Sequence, residues 1–595
     1  MRCSLWVLPM VILAQAGPAE PPVEESVLRF DPDLVRIDAV ATGRDGRRVE
    51  GLAAADFEVL QDGRRQKITQ FSYTGGGDQP KPAPRIAIVV DDIDLSLDDH
   101  TAIRGALARF VDQELPPATS LSLVCTSHGS GALRRFTADP QSMHRAIDDM
   151  YWRPAGGLRI AFPEMSLLRD LGNIVAELGA FPGRKSLVVI APRANTQMTD
   201  ARGIADMAAR ASVTIHGVDA QTHSRSAAGD TLGLLASATG GRFHNSLSAA
   251  LDVLREAALD SSAYYLIGWN PGADAFRADP NRETQYHRVQ IRARDNSLHV
   301  RARDGFFSRT GAAIPGQVIP GADPVRDALE STFHSGEIEV RLTADFQRQE
   351  AAGSYVTSLL HIAPQGVLFS PDKEGCWSAR VEIARAIRAV DPGMPLNDRV
   401  NSQPLDIHSC GKEAERLMAD GLVAAVEDRV PTPGAYQVRV AVRVATAEPA
   451  SSDGHSAATR PIGSAAQFLV IPDLRTAALA LSGITLWSGE APAPATADPV
   501  YRAAEGADPA VRRFAEGTPI HYSVRALGGA PAPVSVLLRI LRDGHEVAGL
   551  PAAPLTGKLP VAGLPPGAYV LGVTASSQAA RKGGHAEQWI DFQIR

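Results

Sequence analysis

The stretch "LVRIDAVATGRDGRRV" alternates strictly, with Val35, Ile37, Ala39 and Ala41 on one side and Arg36 and Asp38 on the other. That period of two predicts a strand with one buried face. "DFEVLQDGRRQKITQFSY" then places Asp62-Gly63 between two β-like runs, the signal of a tight hairpin. Residues 74–85, "TGGGDQPKPAPR", read as a linker.

From residue 86 the pattern changes. Short runs without a polar face (residues 86–90, "SLSLVCT", "KSLVVIAP", "ASVTIHGVDA") alternate with stretches of helical spacing. Ile103, Leu107, Phe110 and Val111 predict a helix over 98–115. Leu167, Leu168, Leu171, Ile174, Val175 and Leu178 predict another. Asp139-Pro140 opens a helix with a capping residue and a proline at the first helical position, and Gly240-Gly241 stops one. Strands apolar on both faces, alternating with helices, predict a doubly wound, mainly parallel sheet of Rossmann type.

Beyond about residue 330 helical spacing fades, and two sets of strand-like segments follow. One runs from "EIEVRLTADF" to "AQFLVIPDL", the other from "PIHYSVRAL" to "QWIDFQIR". Each predicts a β-sandwich of immunoglobulin-like size. "PGAYQVRVAV" at Pro433 and "PGAYVLGVTA" at Pro566 repeat one turn-plus-strand device, with a tyrosine leaving the turn on the core side. The expected organisation is an N-terminal β-hairpin module (30–75), an α/β domain (84–308) and two sandwiches (330–475 and 478–595). A chain of 595 residues has room for them at ~100–200 residues per domain.

Composition narrows the function. A net charge of −7 without a basic stripe argues against a nucleic-acid partner. Arg2, the apolar residues 5–13 and Ala14-Gln15-Ala16 have the order of a signal peptide spanning 1–16, so the mature protein is expected in the periplasm or outside the cell. No later stretch approaches ~20 apolar residues, so no transmembrane helix is expected in the mature chain. In an oxidising compartment Cys376 and Cys410 are disulfide candidates, whereas Cys125, within "LSLVCTS", reads as an inert core thiol. Ser127, His128 and Ser130 after a strand raise a hydrolase alternative, but they lack the G-x-S-x-G spacing of a nucleophile elbow. Trp377 and Trp589 stand apart from other aromatics, so the sequence offers the sandwiches no aromatic cluster for carbohydrate.

Several elements in order, "VEGLAAADFEVLQDG", "IAIVVDDIDLSLDDH", "TGGRFHNSLSAAL", "SSAYYLIGWNP" and "HVRARDGFF", resemble the von Willebrand factor A-related proteins of the acidobacterial type. The resemblance covers roughly residues 30–308. "PGAYQVRVAVRV", "GSAAQFLVIPDL" and "LALSGI" are similar to the β-rich tail of long members. It implies an exported protein with a von Willebrand A fold and no family-wide enzymatic activity. It also implies a divalent-cation site made of an Asp-x-Ser-x-Ser loop, a threonine and a further aspartate, all hard oxygen donors.

Only part of that set is present. Counted from Asp91, Ile93 and Leu95 replace the serines; counted from Asp92, the loop reads Asp92-Ile93-Asp94-Leu95-Ser96. Leu158 or Arg159 stands where the threonine is expected, and Pro192 and Arg193 where the third loop should hold its aspartate. Asp91, Asp92, Asp94 and Ser96 are therefore expected to form a degenerate site that binds magnesium weakly or not at all. The carboxylates would instead cap the following helix or pair with Arg159 or Arg193. No other cofactor is expected. The expected function is non-enzymatic binding of an envelope or extracellular protein at the carboxyl edge of the parallel sheet. The alternative is a secreted hydrolase with its active site at that edge.

Overall fold

A strand that is apolar on one face needs a second sheet to cover it, and the N-terminal strands find theirs far away in the chain. The computed structural model of the protein describes residues 34–75, 83–92, 95–126, 136–150, 152, 163–191, 198–220, 228–271, 286–307, 323–331, 333, 337–350, 353–371, 373–389, 400–445, 460–475, 477–489, 498–504, 509–528, 534–577 and 584–595. Strand β1 (Val35–Thr42) buries Val35, Ile37, Ala39 and Ala41, as its alternation demands. Strands β2 (Phe57–Gln61) and β3 (Arg64–Gln66) pair around Asp62-Gly63, both at positive φ, the two-residue hairpin expected of that dipeptide. Strand β4 (Gln70–Tyr73) follows.

The parallel sheet has the order β6-β5-β7-β8-β9, formed by β5 (Arg85–Val90), β6 (Ser120–Cys125), β7 (Lys185–Ala191), β8 (Val213–Asp219) and β9 (Phe243–His244). Every residue of β7 and β8 is buried. Side chains alternate between the two faces of the sheet. Ile86, Ile88 and Val90 share a core with α1 (Leu97–Arg109), α2 (Pro140–Asp148) and a later helix α6 (Ala250–Ser262). Ala87 and Val89 face α3 (Pro163–Leu178), α4 (Met198–Arg210) and α5 (Ala228–Thr239). From β5 the chain moves outward to β6; from β7 it moves the opposite way to β8. The topological switch point therefore lies between β5 and β7.

After α6 the chain leaves the parallel sheet. Strands β10 (Tyr265–Trp269), β11 (Tyr286–Ala293), β12 (His299–Ala302) and β13 (Gly305–Phe307) interleave with the N-terminal strands in two antiparallel sheets, β12-β1-β10-β4 and β13-β11-β2-β3. Ile37, Phe57, Val59, Tyr265, Trp269 and Ile291 fill the core between them. This corrects the expected boundaries. Residues 30–75 are not a separate module, and the α/β unit closes at Ser262 rather than near 308. The strands around Asp295-Asn296 enter different sheets, because each needs a different partner to bury its apolar face.

A buried charge cluster joins this sandwich to the α/β unit. Arg301, on β12, donates to both carboxylate oxygens of Asp260, on α6, at 2.6 Å. Arg184, just before β7, is 3.9 Å from the same carboxylate, and His216, on β8, is 3.6 Å away. Burial pushes the Asp260 carboxyl up, but Arg301 and Arg184 outweigh it and hold the group below the ordinary carboxylate range. Burial pushes the His216 imidazole down to about 3, so it is neutral in the folded protein.

The C-terminal half holds two further β-units. In the first, strands Val340–Glu350, Gly353–Ile362, Leu422–Val430 and Val500–Ala503 face a sheet of Ser370–Pro371, Trp377–Ala389, Gly434–Val444 and Ile462–Ile471, with Asn401–Ser409 paired on Trp377–Ala389. Leu342, Phe346 and Leu360 from one sheet meet Ile383, Val438 and Val440 from the other. The strand Val500–Ala503 lies beyond the expected division at 475–478, so the two C-terminal units share chain across it. In the last unit, Tyr522, Ile540, Tyr569 and Phe592 pack in one core.

Asp260→Asn leaves two arginines facing a neutral amide and is expected to cost ~3–5 kcal/mol in chemical denaturation, the scale of a broken buried pair. The wild type is expected to lose stability as pH falls. The unfolded chain protonates its histidine near ~6.5, whereas His216 resists until about 3, and the depressed Asp260 acts in the same direction below the usual carboxylate range. A loss under ~1 kcal/mol in Asp260→Asn would show that the cluster does not join the two units.

Candidate functional site

Asp91 and Asp92 follow β5, which borders the switch point on its β7 side, and Thr126 follows β6 on the other side of β5. The backbone places Asp91 firmly: its amide donates to the Ile190 carbonyl on β7 at 2.8 Å, and the Thr126 amide donates to the Val90 carbonyl at 3.1 Å. The Thr126 hydroxyl lies 2.5 Å from Asp91 Oδ1 and 3.3 Å from Asp92 Oδ1. A hydroxyl carries one proton, so the short bond to Asp91 takes it. Asp91 is buried and Asp92 half-buried, so the edge presents one carboxylate while the other is held within.

The helix after the loop is capped by Ser96, whose Oγ accepts from the Asp99 amide at 3.1 Å and donates to the Asp99 carboxylate at 2.7 Å. This corrects the expectation that the Asp91 or Asp92 carboxylates cap it. The helical region also begins at Leu97 and ends at Glu114, with its last turn, Phe110–Glu114, widened into a π turn. Trp152 Nε1 donates to the Leu95 carbonyl at 2.9 Å, fixing the loop from the other side.

Asp94 lies outside the described residues, as do Leu158, Arg159, Pro192 and Arg193 and the hydrolase candidates Ser127, His128 and Ser130. Around the ends of β5 and β6 the described residues offer the carboxylates of Asp91 and Asp92 and the hydroxyls of Thr126 and Ser96. These are hard oxygens of the kind magnesium accepts, short of the six an octahedral shell needs. Thr126 escaped the sequence reading because the motif places its threonine near residues 158–159, and this hydroxyl comes from the end of the neighbouring strand β6. Asp219, buried at the end of β8 on the same edge, escaped it as well.

The last β-unit abuts this part of the α/β unit. Leu97, in the first turn of α1, packs against Gly544, where a Cβ would approach the leucine to 2.0 Å. Gln593 donates to Asp149, at the end of α2, at 2.9 Å, and Arg513 lies 3.5 Å from the same carboxylate. Burial pushes the Asp149 carboxyl up against the pull of Arg513. The helix that leads away from the candidate site is thus braced by the far end of the chain.

Cys376 and Cys410 are joined as a disulfide, with Cα atoms 4.3 Å apart, and Cys125 is a buried thiol. Among the described residues, the group of three metal-type ligand side chains within 4.8 Å of one another is Cys376, His408 and Cys410. Two of its sulfurs are committed to each other. No described helix is long and apolar enough to cross a membrane.

Together these features define a multidomain, β-rich protein built around a doubly wound α/β unit. No family model matches the chain, and no curated protein matches it. Among solved structures, proximal thread matrix protein 1 from the mussel byssus is 14% identical over 30% of this chain and 48% of its own, with a TM-score of 0.23. A structure of the same mussel protein with a zinc-occupied MIDAS motif gives the same values. The chain therefore spans about half the length of those structures, and at that score the likeness adds nothing to what the sheet order shows.

Thr126→Val removes the hydroxyl from a buried carboxylate and is expected to cost ~1–3 kcal/mol, while Thr126→Ser keeps most of the stability. Urea denaturation of both variants checks this. Equal stability of Thr126→Val and wild type would mean that the hydroxyl does not hold Asp91.

Proposed function

We propose that the chain is an exported, non-enzymatic interaction protein. In this proposal a von Willebrand A-like domain with a degenerate metal site binds an envelope or extracellular protein through the carboxyl edge of its parallel sheet. The observation that carries the proposal is the pairing of Asp91, at the end of a strand that borders the switch point, with the Thr126 hydroxyl. The buried carboxylate is held by a protein donor, and Asp92 lies half-buried beside it at the edge. Open α/β sheets place ligands at this position.

The C-terminal units serve as immunoglobulin-like spacers that hold the α/β unit in place. Support comes from the two "PGAY" turns. The Tyr436 hydroxyl donates to the Thr432 carbonyl at 2.7 Å, and the Tyr569 hydroxyl to the Pro565 carbonyl at 2.5 Å, each four residues back. That is the tyrosine corner of immunoglobulin-like sandwiches. A disulfide in the first unit suits an exported chain.

Thermal melts test the ion-independent part of the proposal. Wild type and Asp92→Ala are each expected to melt at the same temperature with chelator and with millimolar magnesium. The variant is expected to lose ~0.5–1.5 kcal/mol in both conditions. A magnesium-dependent rise in the wild type that vanishes in Asp92→Ala would contradict the degenerate site and favour a metal-bridged one.

A further inference from the structure

The disulfide of the first C-terminal unit stands at the end of a strand pair that does not need it. The strands Trp377–Ala389 and Asn401–Ser409 pair antiparallel from Arg385 opposite Asn401 to Trp377 opposite Ser409. Cys376 and Cys410 are the next residues along, so they continue that register as opposed neighbours. Their Cα separation of 4.3 Å is close to the ~4.5 Å of opposed residues that exchange no backbone hydrogen bond. Strand pairing thus closes the loop that the disulfide also closes, and the bond removes little further chain freedom. Tyr501 secures the outer strand: its hydroxyl accepts from the His408 amide at 2.7 Å and donates to the His408 carbonyl at 3.0 Å.

The two sulfurs are not equivalent. Cys376 is buried and Cys410 exposed, so an incoming thiol meets Cys410 first. Cys410 is also the residue that caps the start of the helix Gly411–Asp420, whose positive end favours a thiolate there. His408 precedes it by two residues and lies on the same, exposed face of the strand. A ring nitrogen of His408 and the two sulfurs all lie within 4.8 Å of one another. An imidazolium beside a thiolate stabilises the charged sulfur. Exposed disulfides are more readily reduced than buried structural ones.

We propose that Cys376–Cys410 is a redox-active disulfide that oxidises dithiols by exchange at Cys410. A substrate thiolate attacks Cys410 Sγ, the bond between the two sulfurs breaks, and its electron pair leaves on Cys376 Sγ. The second substrate thiolate attacks the substrate sulfur of the mixed disulfide, and Cys410 leaves as a thiolate beside His408. The two protein sulfurs take up the two protons that the substrate thiols release. The dithiol becomes a disulfide, and the protein's disulfide becomes two thiols. Strand pairing keeps those thiols opposed, so glutathione disulfide can restore the bond by the reverse exchange. This chemistry is independent of partner binding at the parallel sheet.

The folded full-length protein is incubated with dithiothreitol, a small dithiol, or with reduced, unfolded lysozyme, a protein dithiol, and followed by peptide mass spectrometry. At least one of them is expected to reduce the Cys376–Cys410 bond about tenfold faster than it reduces glutathione disulfide. Reaction with both supports exchange with protein as well as small dithiols; reaction with dithiothreitol alone supports exchange with small ones. The reduced protein is expected to stay folded, with a melting temperature lower by no more than about 5 °C. In Cys376→Ser, glutathione disulfide is expected to leave glutathione on Cys410, and adding His408→Ala slows that step about tenfold. The proposal is overturned if the bond reacts no faster than glutathione disulfide, or if its reduction unfolds the protein. It is also overturned if glutathione does not attach to Cys410, or attaches at the same rate without His408.

Discussion

One buried carboxylate, Asp260, dictates how the first half of the chain must close. A charge with a side chain about 2% exposed survives folding only if cations reach it, and its principal cation, Arg301, lies on a strand of the sandwich beyond the parallel sheet. To make that bidentate contact, the strands β10–β13 return across the α/β unit, β10 entering between β1 and β4 while β12 adds to the other side of β1 and β11 to β2. The result is a sandwich made of both ends of the region and fastened to the helix that precedes its return. His216 lies in the same pocket as a neutral ring, so acid acts on this junction through two groups at once.

The candidate site inherits its rigidity from such junctions. β5 is hydrogen-bonded on both sides within the parallel sheet, so the chain emerging at Asp91 has little freedom. Thr126 ties the carboxylate to the next strand, Trp152 ties down the loop, and Ser96 closes the start of α1. The last β-unit then packs on α1 at Leu97 and on Asp149. An edge built this way suits presentation of a fixed surface, with the buried Asp91 carboxylate held by the Thr126 hydroxyl.

Much of this was legible in the sequence because the patterns concerned are local. The alternation at 35–41 marked a half-buried strand, Asp62-Gly63 marked its hairpin, and the doubly apolar runs marked the parallel strands. Pairing partners were not legible. Nothing in the alternation of residues 286–302 says that the two strands enter different sheets, and nothing in residues 500–503 says that they join the unit before the strands of the last one. The site was half legible for the same reason. Asp91, Asp92 and Ser96 share one loop and one motif. Thr126 and Asp219 reach that edge only through strand order, which short-range spacing does not encode.

The carboxyl edge around Asp92 is proposed to contact another protein without a bridging ion. Site-specific photo-crosslinking in cells tests it most directly, with the reactive group at position 92 and a control at Ala180, which is exposed at the opposite, amino edge of the sheet. A discrete adduct with an envelope or extracellular protein is expected from position 92, unchanged by chelator, and none from position 180. The same adducts from both positions, no adduct from position 92, or one that disappears on chelation would contradict it.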